Sequence, residues 1–136
     1  MEAERLEEEL ALLRSVYPDL EHFPVDGTHW VRLPTYSVPT GWTHQGAAVA
    51  AAEVVFQIPT QAGQAPYAFF VRPPITLAGG GAPNNYTATA STPWGNDFAQ
   101  FSWAPNEPWM PKADIRAGAN MLNFARSFAE RLGELL

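Results

Sequence analysis

A chain of 136 residues carries one modest core and not two, because a domain of this size buries roughly 70% of its unfolded surface. A net charge of −6 argues against a phosphate-binding surface and so against nucleic acid, which needs clustered Lys and Arg. The absence of cysteine excludes disulfides, thiolate zinc sites and thiol redox chemistry, and three histidines (His22, His29, His44) give metal catalysis little support. No metal or other cofactor is expected.

Glu2 to Val16 places Ala3, Leu6, Leu10, Leu13 and Val16 at helical spacing, with acidic residues early and Tyr17-Pro18 as a stop. An amphipathic N-terminal helix within residues 1–20 is predicted, its apolar face docked on the domain's own sheet and its charged face outward. No basic region followed by an apolar stretch opens the chain, and no apolar run approaches the roughly 18 residues of a membrane span. The expected location is cytoplasmic, with no membrane partner.

From Gly27 the pattern becomes β-rich runs punctuated by Pro and Gly: Thr28–Leu33, Ala47–Ile58 and Tyr67–Val71, connected by Pro39-Thr40-Gly41 and Gln61-Ala62-Gly63. An antiparallel β-meander of three to four strands over residues 28–74 is predicted. In the middle run Val49, Val54 and Phe56 sit among alanines, a pattern open to a bulge or an early break.

Residues 75–111 read Gly79-Gly80-Gly81, Pro83-Asn84-Asn85, Ser91-Thr92-Pro93 and Ala104-Pro105-Asn106, with aromatics interspersed. Loops longer than about 15 residues in compact domains are usually functional, so this stretch is predicted to be a long ordered loop that carries the site. Trp94, Trp103 and Trp109 are read as its anchors. The glycine triplet is flexible backbone, since no Lys-Ser/Thr follows it. Residues 112–136 open with Asp114 and place Ile115, Leu122, Phe124, Phe128, Leu132 and Leu135 on one apolar stripe, which predicts a C-terminal helix packed on the sheet. The sum is a single α+β domain, 1–136, with its helices on one face of an antiparallel sheet.

Val55-Phe56-Gln57-Ile58-Pro59, Ala65-Pro66-Tyr67-Ala68-Phe69-Phe70-Val71 and Pro73-Pro74, joined to Phe101-Ser102-Trp103 and Trp109-Met110-Pro111, resemble the pattern of E2 (ubiquitin-conjugating, UBC-fold) domains. The likeness is to the bacterial E2-like proteins termed prokaryotic E2 family E, over roughly residues 30–136. The first helix and Tyr17-Pro18-Asp19 are similar to the related RWD domains. The resemblance implies an E2/UBC-like sandwich in which Ser102 occupies the place of the acyl-carrying cysteine. It further implies a ThiF-type E1-like adenylating enzyme that passes the C-terminal acyl group of a ubiquitin-like protein to Ser102 as an oxyester, for delivery to a target protein. The family's operons are associated with antiphage defence.

One departure concerns the His-Pro-Asn element that supplies an oxyanion-stabilising amide in E2 domains. Its nearest relic is Pro83-Asn84-Asn85, eighteen residues before Ser102, and Asn96 is nearer in sequence. Asn84, Asn85 and Asn96 are therefore candidate oxyanion amides. A serine hydroxyl needs a proton acceptor; Asp97 is a candidate base, as are Glu107 and, through folding, His44 or His29. Three readings stand: an E2-like ester carrier, an inactive E2/RWD-like adaptor that binds the E1 or the ubiquitin-like protein, and an unrelated α+β binding module or engineered variant lacking its native nucleophile.

Overall fold

The computed structural model describes residues 2–61 and 63–136; Met1 and Ala62, the latter part of the expected Gln61-Ala62-Gly63 connection, lie outside the described residues. Helix α1 (Ala3–Val16) begins with an acidic first turn that suits the positive end of the helix dipole. It ends where Pro18 removes the next backbone donor. Leu10, Leu12 and Leu13 are buried, whereas Val16, expected on the same stripe, is exposed at the last turn.

Strand β1 (Glu21–Val25) turns through Asp26-Gly27 into β2 (Thr28–Ser37). Both turn residues have positive φ, 49° and 80°, the geometry of the tight hairpin turns that match strand twist. β1 lies outside the predicted 28–74 meander, and its Pro24 is tolerated because β1 is an edge. Strand β2 runs on to Ser37 past a register shift between Leu33 and Tyr36, where Pro34 has no N–H for the ladder. The Ala47–Ile58 run breaks early, into β4 (Ala47–Ala48) and β5 (Ala51–Ile58), with β3 (Trp42–His44) before it. Next come β6 (Phe69–Arg72) and β7 (Thr76–Leu77).

Residues 75–111 are not loop throughout. Strands β8 (Tyr86–Thr92) and β9 (Gly95–Phe101) form an antiparallel hairpin closed by Pro93-Trp94. The run Tyr86-Thr87-Ala88-Thr89-Ala90-Ser91-Thr92 is strand-forming because its threonines favour a pleated surface. Flanking Pro and Gly had masked it. The main sheet therefore has six antiparallel strands in the order β1-β2-β5-β6-β9-β8, and β4-β3-β7 make a second, three-stranded sheet. The C-terminal helix α2 (Met121–Glu134) starts later than Asp114, whose side chain instead caps a single 3-10 turn at Ile115–Ala117. Asn120 caps α2 by accepting from the Asn123 amide at 2.8 Å.

Helix α2 lies on the sheet face that presents Val31, Leu33, Val54, Phe56, Phe69, Val71 and Phe101 to the core. Phe69 stacks on Phe124 and Phe128 at ring separations of 4.3 and 4.5 Å. Each such ring contributes about 1.5–3 kcal/mol by leaving water. The Tyr36 hydroxyl donates to the Ala125 carbonyl (2.5 Å) and accepts from the Ala129 amide (3.0 Å), two groups that a helix pairs with each other. Burial raises the pKa of that hydroxyl well above the usual tyrosine value. The other sheet face is partly covered as well: Val55 and Phe98 are fully buried there, outside the main core cluster. Across it runs an alternating chain of charges, Glu21–Arg32–Glu53–Arg72–Asp97. Among the described residues no helix is long and apolar enough to cross a membrane.

Two contacts fix the start of α2. Glu9, 2% exposed, accepts from the Met121 amide at 3.0 Å and pairs with Arg5 at 3.6 Å. Burial raises the Glu9 pKa above 4.5, despite the opposing pull of the Met121 amide and Arg5. A raised folded-state value means that stability from this group is present at low pH and is lost as pH rises through that value. Urea unfolding from about pH 4 to about pH 7 should therefore show wild type losing stability relative to Glu9→Gln, which keeps the acceptor without the charge. The second contact is Gly118, where a Cβ would lie 2.6 Å from the Met110 carbonyl and 2.9 Å from the Lys112 nitrogen. Gly118→Ala should cost about 1–3 kcal/mol in chemical denaturation. Gly79→Ala, with open space around it, should stay within about 0.5 kcal/mol of wild type.

Candidate functional site

Ser102 follows the last residue of β9 and is partly exposed, between two buried neighbours. Phe101, at 0% exposure, and Trp103, at 4%, both pack on Phe128 of α2, with ring separations of 5.2 and 5.6 Å. The two aromatics pin the backbone on either side, so the serine's position is set by the core. The Trp103 amide reaches back to the Phe101 carbonyl at 2.9 Å, a three-residue turn with Ser102 at its centre. Arg131 lies over the Trp103 ring at 4.6 Å and donates to the Ala104 carbonyl at 2.7 Å, which holds the exit from this turn.

The fold brings Asn84 and Asn85 to Ser102. The Ser102 amide donates to the Asn85 carbonyl at 2.9 Å, and the Trp103 indole N–H donates to the Asn84 carbonyl at 3.2 Å. Both asparagines are exposed, and Asn85 has φ 61°, a left-handed conformation that Asn adopts more readily than most residues. Sequence distance concealed this neighbourhood: the β8–β9 hairpin occupies the gap, and a hairpin returns its ends to the same place.

Asn96 and Asp97 are not brought to Ser102. They lie at the opposite end of β9, roughly 16 Å away for Asp97 at the rise of an extended strand. Asp97 binds Arg72 at 2.8 Å, and that hydrogen bond holds its pKa below the ordinary carboxylate value. Such a carboxylate is a weak proton acceptor. Arg72 also binds Glu53 at 2.6 Å and the Trp94 carbonyl at 2.9 Å, and its guanidinium lies over Phe98 at 4.4 Å. Burial alone would raise the Glu53 pKa, but hydrogen bonds from Arg72 and Arg32 leave it lowered. This cluster braces the far end of the sheet.

The remaining candidate bases are also dispersed. His29 stacks on His22 at 5.2 Å, with His22 Nε2 and His29 Nδ1 3.0 Å apart, on the β1–β2 hairpin. His44 Nδ1 is hydrogen-bonded with the Pro74 carbonyl at 2.7 Å. Glu107 is exposed and lines a groove of about 680 Å³ along α2, together with Trp109, Met110, Asn123 and Glu130. Ser102 is not on the wall of that groove. Neither does it line a smaller cavity of about 230 Å³ between Arg5, Glu9, Trp109 and Lys112.

Sequence reasoning missed Gln100. Its side-chain amide donates to Ser102 Oγ at 3.3 Å, so the hydroxyl accepts one bond and keeps its own proton free to give. The signal was present in the strand period, which puts residues two apart on one side. Among the described residues no group of three or more His, Asp or Glu side chains is placed to hold a metal ion. Comparison of the chain with protein-family models, with characterised proteins and with solved structures finds no match.

Trp103 links the core to the asparagine pair, and its indole hydrogen bond can be removed while an aromatic ring is kept. Trp103→Phe should cost about 1 kcal/mol or more from the lost hydrogen bond, plus the packing difference. Amide hydrogen exchange at Ser102 should accelerate in that variant, because the Asn84–Asn85 segment that accepts its N–H is loosened.

Proposed function

We propose that the protein is an E2-like carrier that accepts the C-terminal acyl group of a ubiquitin-like protein on Ser102. The observation that carries this reading is a partly exposed hydroxyl held rigidly between two core aromatics, with the Gln100 side-chain amide donating to it and the Asn84-Asn85 backbone pinned alongside. A nucleophile needs that combination of access and fixed position. In the transfer, Ser102 Oγ bonds to the acyl carbon carried by the E1-like enzyme. The bond from that carbon to the E1's leaving group breaks, and the hydroxyl proton departs with that group. The Gln100 amide, already directed at Oγ, is the donor in place to steady that oxygen as its proton leaves, and a hydrogen bond to a charged group contributes roughly 1.5–3 kcal/mol. Exchange of one activated acyl group for another is nearly balanced in free energy, so positioning with modest base assistance suffices.

The second reading, an inactive adaptor, is favoured by one observation. Among the described residues no carboxylate or histidine is hydrogen-bonded to Ser102 Oγ, and the base then has to come from a partner. Incubation with a cognate E1-like enzyme, the mature ubiquitin-like protein and ATP separates the two. The carrier reading expects an adduct that survives thiol reductant and is cleaved by alkaline hydroxylamine. Ser102→Ala should abolish it, and Ser102→Cys should convert it to a reductant-sensitive thioester. Gln100→Ala should slow its formation about tenfold or more, within the range for a lost hydrogen bond to a developing charge. Asp97→Asn, at the far end of β9, should leave the rate within about twofold. Tight binding with no adduct would establish the adaptor instead.

A further inference from the structure

The main sheet has two edges, and they differ. β1 carries Glu21 and Pro24, a charge and a missing donor that discourage pairing with another chain. β8 carries neither. Its seven residues, Tyr86-Thr87-Ala88-Thr89-Ala90-Ser91-Thr92, include no charged residue and no proline. Thr87, Ala88, Thr89 and Ser91 are exposed, and among the described residues no other strand pairs with the side of β8 away from β9. An uncharged, strand-forming edge of this kind is the surface that β-strand addition uses.

The direction of β8 gives that edge a destination. β8 starts beside Ser102, since Tyr86 is paired with Phe101 and the Ser102 amide binds the Asn85 carbonyl, and it runs away from the serine toward Thr92. A segment added antiparallel to β8 therefore runs from the Thr92 end toward Asn85, with its C-terminus leading to the serine. Strands are spaced by about 4.8 Å, so the added strand lies about two spacings from β9. Two or three extended residues beyond Tyr86 span that gap, at roughly 3.3–3.6 Å each.

We propose that β8 is the docking edge for the extended C-terminal tail of the acyl donor, which adds as an antiparallel strand and delivers its terminal carboxyl carbon to Ser102. This rests on the reading of Ser102 as the acyl acceptor. The register shifts between Thr87 and Ala90 and between Ala90 and Thr92 in the β8–β9 ladder bend β8 locally, so the regular part of the edge is short.

The test uses the intact chain and the ubiquitin-like protein of the adduct assay, with and without its last residues. Hydrogen exchange on the wild type should slow at β8 amides with the full-length donor and not with the truncated one. Thr89→Pro removes a backbone donor and should slow ester formation about tenfold, and Thr89→Lys, an exposed charge that leaves the strand able to fold, should slow it in the same direction. Unchanged rates in Thr89→Lys, together with unchanged β8 exchange on a wild type that forms the ester, overturn the docking edge and leave the carrier reading standing. Protection of β8 by the tail with no ester on wild type upholds the edge and overturns the acceptor role of Ser102. Neither protection nor ester overturns both.

Discussion

The packing of Phe101 and Trp103 onto Phe128 is the constraint on which the rest of the site depends. These aromatics sit on either side of one partly exposed residue, so the most strongly buried part of the molecule and its candidate reactive group are joined through single peptide links. Phe128 also stacks on Phe69, which ties the same helix residue to the centre of the sheet. Displacing the serine by an ångström would mean repacking α2. Dispersion and burial set the position of Ser102, and the surrounding polar contacts refine it.

Much of the architecture was legible because it rests on period. Leucines at helical spacing marked α1, Pro18 marked its end, and of the predicted stripe Leu122, Phe124, Phe128 and Leu132 are buried on α2, while Ile115 lies in the preceding 3-10 turn and Leu135 is exposed past the helix end. What escaped were elements whose local signals conflict. β1 contains a proline, permitted because it lies at an edge, and the Asp26-Gly27 pair beside it was the stronger signal. β8 and β9 were hidden inside a stretch whose glycines and prolines dominate its composition. Ser102 stood out from its flanking aromatics. Its true neighbours, Gln100 and the carbonyl of Asn85, depend on strand pairing and became visible only with the hairpin in place. The distance from Ser102 to Asp97 follows from the same fact: residues close in an extended strand are far apart in space.

The chemistry suggested for Ser102 is economical in groups. One amide side chain, that of Gln100, donates to it, and no ionisable side chain is hydrogen-bonded to its hydroxyl among the described residues. A site of this composition depends little on pH by itself and draws its proton acceptor from whatever docks against it. That dependence suits a carrier, whose acyl group must persist until the right partner arrives, and it equally explains why an adaptor would keep the same geometry without reacting.

The acidic face of α1 has a consequence beyond its own solubility. With Glu2 at its N-cap, Glu4, Glu7, Glu8 and the buried Glu9 against Arg5 and Arg14 give this one rod half of the chain's formal net charge of −6. Across the main sheet, by contrast, positive and negative groups alternate in a row. The molecule is therefore electrically lopsided, and its field turns an approaching cationic protein before contact, within a distance set by the ionic strength. Encounter rate, more than the lifetime of the complex, is the quantity that added salt would then diminish.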